Sequence, residues 1–82
     1  MNSSFQKILD AWDDNESSSE IYHMILDFIT IYKDKIKHQD LVNDIIKRME
    51  DNDSTNDIVE DVIYGDVYED LRNEFKAKWD KK

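Results

Sequence analysis

The sequence predicts an all-α fold: a small single-domain helical bundle of four to five helices, the last two separated by a break at Gly65. Three observations carry this expectation. The 82 residues hold no Pro and a single Gly, so the usual helix breakers are nearly absent. Ile, Leu, Val, Phe, Tyr and Trp recur at helical spacing along the chain. Low-complexity tracts are absent, which argues for a packed core even though 38% of the residues are charged. Residues 1–82 are too few for two cores, so they read as one acidic helical domain.

The elements follow in order. Phe5, Ile8, Leu9 and Trp12 fall at i, i+3, i+4 and i+7, one face of a first helix. Ser3 or Ser4 is placed to cap it, and Asp13 and Asp14 oppose the helix dipole at its far end. Asp13 to Ser19 reads as a polar loop. Ser17 and Glu20 have capping-box spacing at the start of a second helix. Its apolar residues run from Ile21 to Ile36 and cover more than one stripe, so it is expected at the centre, touched from two sides. Lys33, Lys35 and Lys37 suit its C-terminal end. Asp40 is the expected cap of a third helix, with Leu41, Val42, Ile45, Ile46 and Met49 on one face. Asp51 to Asn56 is rich in turn formers.

The last third cannot be one straight helix. On a continuous helix, Ile58, Val59, Val62 and Ile63 centre about half a turn away from Tyr64, Val67, Tyr68, Leu71, Phe75 and Trp79. The jump falls at Gly65, where a left-handed residue is the expected terminator. Asp66 and Glu69 then have capping-box spacing. The expectation is a short helix near Asn56–Tyr64, a break, and a final helix near Asp66–Lys81, with Lys76, Lys78, Lys81 and Lys82 at its C-terminal end. No internal repeat is apparent.

Charge is unevenly spread. Of 20 Asp and Glu residues, half lie between Glu50 and Glu74, and Arg72 is the one cation among them. That stretch alone carries the −9 of the whole chain. Such a field attracts basic surfaces and repels nucleic acid and anionic lipid.

Several chemistries are excluded or disfavoured. The absence of Cys removes disulfides and thiolate metal sites. The N-terminal residues lack a signal pattern, and Asp27, Lys33, Asp34 and Lys35 interrupt the most apolar stretch, so no membrane span is expected and the reading is cytoplasmic. Asp51 to Val62 has a calcium-loop flavour, with Asp51 and Asp53 at ligand places, yet Val62 stands where the bidentate Glu belongs. Glu20 and His23 have the Glu-x-x-His spacing of di-iron bundles, but Lys35 precedes His38 where the second motif needs Glu. No metal or other cofactor is expected. Neither a Gly-rich phosphate loop nor an activated nucleophile is visible, so the chain does not read as an enzyme. Lys33, Lys35, Lys37, His38, Lys47 and Arg48 are interleaved with Asp34, Asp40 and Asp44, a mixed-charge face and not a phosphate-binding one.

The acidic surface itself is the remaining candidate. Asp57, Glu60, Asp61, Asp66, Glu69, Asp70 and Glu74 are the expected partner-binding residues. Asp66, Asp70 and Glu74 follow one another at i, i+4, and like charges so placed cost a helix roughly 0.2–0.5 kcal/mol per pair. Folding does not explain that arrangement. Tyr64, Tyr68 and Trp79 are candidate apolar anchors beside it. Small phage-encoded anti-restriction and anti-CRISPR proteins are similar in size, acidity and helicity, with no motif matched residue by residue. The similarity implies a DNA-mimic inhibitor of a nucleic-acid-binding protein. An immunity protein or antitoxin capping a basic toxin is the second class. The third is a helical assembly or regulatory module, acidic for solubility alone, with Tyr22, Phe28 and Tyr32 as a homodimer face.

Overall fold

Five α-helices, with no strand among the described residues 5–79, make up the computed structural model of the protein. They are α1 (Phe5–Asp13), α2 (Ser18–Tyr32), α3 (Gln39–Glu50), α4 (Thr55–Tyr64) and α5 (Glu69–Trp79). 3-10 turns at Lys33–Lys35 and Asp66–Tyr68 lead into α3 and α5. This is the all-α bundle that the sequence predicts. The cap expected from Ser3 or Ser4, and the roles of Lys81 and Lys82, lie outside the described residues.

One core is shared by all five helices. α2 packs against both α1 and α4, as its broad apolar surface requires, through Ile21, Ile25, Phe28 and Ile29. Ile58, Val59, Val62 and Ile63 form the buried side of α4. Phe5, Phe28 and Phe75 make a three-ring cluster, with centroids 5.9 Å, 5.2 Å and 4.8 Å apart. Trp79 extends it, 5.5 Å from Phe28 and 4.5 Å from Tyr32. These rings fasten α5 to α1 and α2 at spacings where edge-to-face packing is favourable.

Several helix ends differ from expectation. Ile36 is not on α2; it follows the 3-10 turn in extended backbone, yet it is buried. The Gln39 side-chain amide donates to the Lys33 and Ile36 carbonyls, at 2.7 Å and 2.6 Å. Asp40 does not cap α3; it sits inside the first turn, and His38 holds the cap position without a side-chain bond. Ser17 does cap α2, accepting the Glu20 N–H at 3.2 Å, and Ser54 caps α4 by accepting the Asp57 N–H at 3.4 Å.

α1 and α3 end alike. Asn15 and Asn52 are the two non-glycine residues with positive φ among the described residues, at 62° and 61°. In both, a six-to-one bond (Glu16 N–H to Ala11, Asp53 N–H to Arg48) encloses a five-to-two bond (Asn15 to Trp12, Asn52 to Met49). Both are Schellman motifs with Asn as the left-handed residue. A shift of 37 positions carries Asn15 onto Asn52, Ser17 onto Ser54, and buried Phe5, Ile8, Ile21 and Ile25 onto buried Val42, Ile45, Ile58 and Val62. The two turns are therefore built alike, with the same spacing of these buried residues about them, although the shift also puts buried Phe28 and Ile29 on Gly65 and Asp66. The two turns meet where Ser18 Oγ donates to Asn56 Oδ1 at 2.8 Å.

The break falls at Gly65, but not for the expected reason. Its backbone is extended, with φ −72° and ψ 152°, a conformation open to any residue. What demands glycine is space. A Cβ there would lie 2.7 Å from Asp61 Cα and 3.0 Å from the Asp61 carbonyl oxygen. The Asp66–Glu69 capping box does not form; the 3-10 turn begins without a side-chain cap. That turn also re-phases the chain, so Tyr68, Leu71 and Phe75 are buried while Tyr64 and Val67 face outward.

Candidate interaction surface

The structure divides the seven expected acids into three groups. Asp66, Glu69 and Asp70 are exposed and lie within one turn of each other where the 3-10 turn becomes α5. Asp57 and Glu60 stand on α4, exposed and half-buried, with Tyr64 completing an i, i+3, i+7 stripe. Asp61 and Glu74 are engaged within the protein.

Glu74 corrects the expected set. It is buried, 8% exposed, and its carboxylate accepts the backbone N–H groups of Lys37 and His38. The same carboxylate bonds His38 Nδ1 at 2.7 Å and Lys78 Nζ at 2.7 Å. Burial alone would raise its pKa; the bonds from Lys78, Lys37 and His38 outweigh that and hold the carboxyl at about 2. Lys78 also donates to the Lys35 carbonyl at 3.0 Å. Glu74 thus ties α5 to the α2–α3 connection, and no carboxylate oxygen is left facing a partner. The i, i+4 row of Asp66, Asp70 and Glu74 ends after two members.

The two arginines are engaged away from Asp66, Glu69 and Asp70. Arg72 lies among the acids in sequence, but its guanidinium donates to the carbonyls of Asp61, Val62 and Gly65, at 3.4, 3.1 and 3.0 Å. There it satisfies the open C-terminal end of α4. Arg48 holds Asp53 at 3.0 Å and Asp61 at 2.9 Å, and donates to the Tyr68 hydroxyl at 3.1 Å. Tyr68 in turn donates to Asp44 at 2.6 Å. Burial pushes the Tyr68 phenol up to about 12. Tyr68 is a core residue, not an exposed anchor, and Trp79 is half-buried in the aromatic cluster. Among the described residues Asp66, Glu69 and Asp70 form no salt bridge, so their charge projects into solvent.

Two apolar side chains share this corner. Tyr64 is 57% exposed and Val67 is 54% exposed. They flank Gly65 and Asp66, where the close approach to Asp61 and the Arg72 clamp fix the backbone. Trp12 supports the Tyr64 ring from behind, at 5.7 Å in an edge-to-face arrangement.

The other sequence candidates resolve into folding roles. α4 begins at Thr55, so helix occupies the second half of the would-be calcium loop, and Asp53 is held by Arg48. Glu20 lies in the first turn of α2, while His23 is exposed and its Nδ1 lies 2.8 Å from the Ser19 carbonyl. Of the residues expected on a homodimer face, Phe28 is in the core, Tyr32 packs on Trp79, and Tyr22 is half-buried. No described helix is long and apolar enough to cross a membrane.

A second acidic region went unread in the sequence. Asp10, Asp14, Glu16 and Glu20 line a shallow groove between α1 and α2 with Lys7 on its edge. Their i, i+4 spacing within α1 and its turn was the available signal, hidden by the milder net charge of that half.

No protein-family model matches the chain, and no curated protein or solved structure is significantly similar to it.

Proposed function

We propose that this chain is a small acidic binding protein that blocks a basic partner by occupying its cationic surface, in the manner of a DNA-mimic inhibitor of a nucleic-acid-binding protein. One observation carries the reading. Arg48 and Arg72 spend their charge on Asp53, Asp61 and helix carbonyls, leaving Asp66, Glu69 and Asp70 clustered and unneutralised among the described residues. Clustered carboxylates on a rigid backbone attract a cationic groove over long range and fix orientation on contact. A protein needing acidity for solubility alone is served by mixed signs. Capping of a basic toxin uses the same surface, and the identity of the captured partner separates the two roles.

The test is affinity capture with the immobilised protein from bacterial lysate, washed first at low and then at high salt. The expected result is a basic protein retained at low salt and lost with Asp66→Asn, Glu69→Gln and Asp70→Asn combined. Unchanged capture by that triple variant overturns the reading.

A further inference from the structure

The acidic corner also carries apolar surface, and charge alone gives no use for it. Single exposed apolar residues are ordinary on protein surfaces. Here two stand together across a four-residue corner, Tyr64 at 57% and Val67 at 54% exposure, with Asp66 between them and Glu69 and Asp70 following. Neither fills a gap in the core, since Ile63 and Tyr68 beside them already do so. The corner is held from three sides: by the tight Gly65–Asp61 approach, by Arg72 on the carbonyls, and by Trp12 behind the Tyr64 ring. The backbone at Gly65 and the Tyr64 ring are thus already placed, which lowers the ordering cost of contact and favours affinity. The other exposed apolar pair, Leu26 and Ile31 on α2, lacks such a setting: Lys33 and Asp34 beside it are of mixed sign.

We infer that the α4–α5 corner docks a cationic protein segment carrying apolar side chains between its Lys or Arg residues, with Tyr64 and Val67 taking the apolar side chains and Asp66, Glu69 and Asp70 the flanking cations. Charge complementarity selects the occupant. A nucleic acid or an anionic lipid is repelled by the acids, and an uncharged apolar segment leaves three carboxylates to be desolvated without partners. The inference rests on the binding function proposed above and adds the chemistry of the partner's contact segment. It implies that part of the affinity survives salt, because apolar burial is not screened as exposed charge pairs are.

Two synthetic peptides of equal charge separate the contributions: Lys-Lys-Leu-Leu-Lys-Lys and Lys-Lys-Ser-Ser-Lys-Lys, both amidated and titrated calorimetrically into the whole protein. The leucine peptide is expected to bind about tenfold more tightly than the serine peptide, in line with partial burial of two side chains. With Tyr64→Ser and Val67→Ser combined, that ratio falls to about one while the serine peptide binds as before. With Asp66→Asn, Glu69→Gln and Asp70→Asn combined, both peptides weaken. All substituted positions are exposed, and far-UV circular dichroism verifies that each variant is folded. Equal binding of the two peptides to the unmodified protein overturns the inference and leaves the acidic-surface reading standing. So does a preference for leucine that survives loss of Tyr64 and Val67. Failure of both peptides to bind at low salt overturns the acidic-surface reading as well.

Discussion

Gly65 approaches Asp61 so closely that a Cβ on it would lie 2.7 Å from Asp61 Cα. Of the three nearest atoms, the Asp61 Cα and carbonyl oxygen are backbone at the end of α4, which cannot swing aside as the third, the Asp61 side-chain oxygen, can. Gly65→Ala is therefore expected to cost about 1–3 kcal/mol, the range for overpacking. Gly65→Asn separates the two accounts of this glycine. A left-handed residue would tolerate Asn better than Ala; an extended residue under steric pressure gains nothing from Asn. Urea unfolding of both variants should give losses of similar size, with Asn no milder than Ala.

Glu74 makes stability depend on pH in a defined direction. Its carboxyl is held at about 2 in the folded protein against an ordinary 4.5. The unfolded state thus binds the proton more readily, so the stabilisation is present above pH 4.5 and is lost as pH falls towards 2. Glu74→Gln is expected to lose about 2 kcal/mol at neutral pH, the scale for charged hydrogen bonds to a buried group. The gap to the unmodified protein should close as the pH drops through that window. A gap that stays constant in urea midpoints across the same range contradicts this.

The paired turns predict paired effects. Asn15→Gly and Asn52→Gly should be close to neutral or slightly stabilising, since both sites have positive φ. Asn15→Ala and Asn52→Ala should each cost about 1 kcal/mol. Because the two turns share one geometry, thermal unfolding should report losses of like size at both positions.

Arg48 and Tyr68 act as one unit. Tyr68→Phe removes a hydroxyl that both donates to Asp44 and accepts from Arg48, and a loss of about 1 kcal/mol is expected. Arg48→Met removes the shared partner of Asp53, Asp61 and Tyr68. The double variant should lose less than the sum of the singles, the sign of direct coupling. Simple additivity in denaturant titrations would show that the network is not a network.

Much of the fold was legible because helices write their period into apolar spacing. Phe5 and Ile8, Ile21 and Ile25, and Val42 and Ile45 are all core residues. The caps at Ser17 and the break at Gly65 were readable for the same local reasons. What escaped was set by neighbours distant in sequence. Glu74 looks like one more acid in a row, and only the arrival of Lys37 and His38 from 37 and 36 positions away turns it inward. Tyr64 and Val67 share a helical face with Tyr68 on paper, and the 3-10 turn at Asp66–Tyr68 moves them off it. Arg72 looks like a counter-ion, yet backbone carbonyls claim it. The likeness of the two turns rests on Asn15 and Asn52 at positive φ, which residue identity alone does not announce.

The central claim is that usable negative charge is focused at Asp66, Glu69 and Asp70. Titration of the isotopically labelled protein with hexalysine at low salt, followed by amide chemical shifts, tests it most directly. The account predicts the largest shifts from Asp66 to Asp70, smaller ones along Asp10 to Glu20, and little change at Asp61 and Glu74, whose carboxylates are already engaged. Shifts centred on the α1–α2 groove, or spread evenly over every acid in the chain, would contradict it.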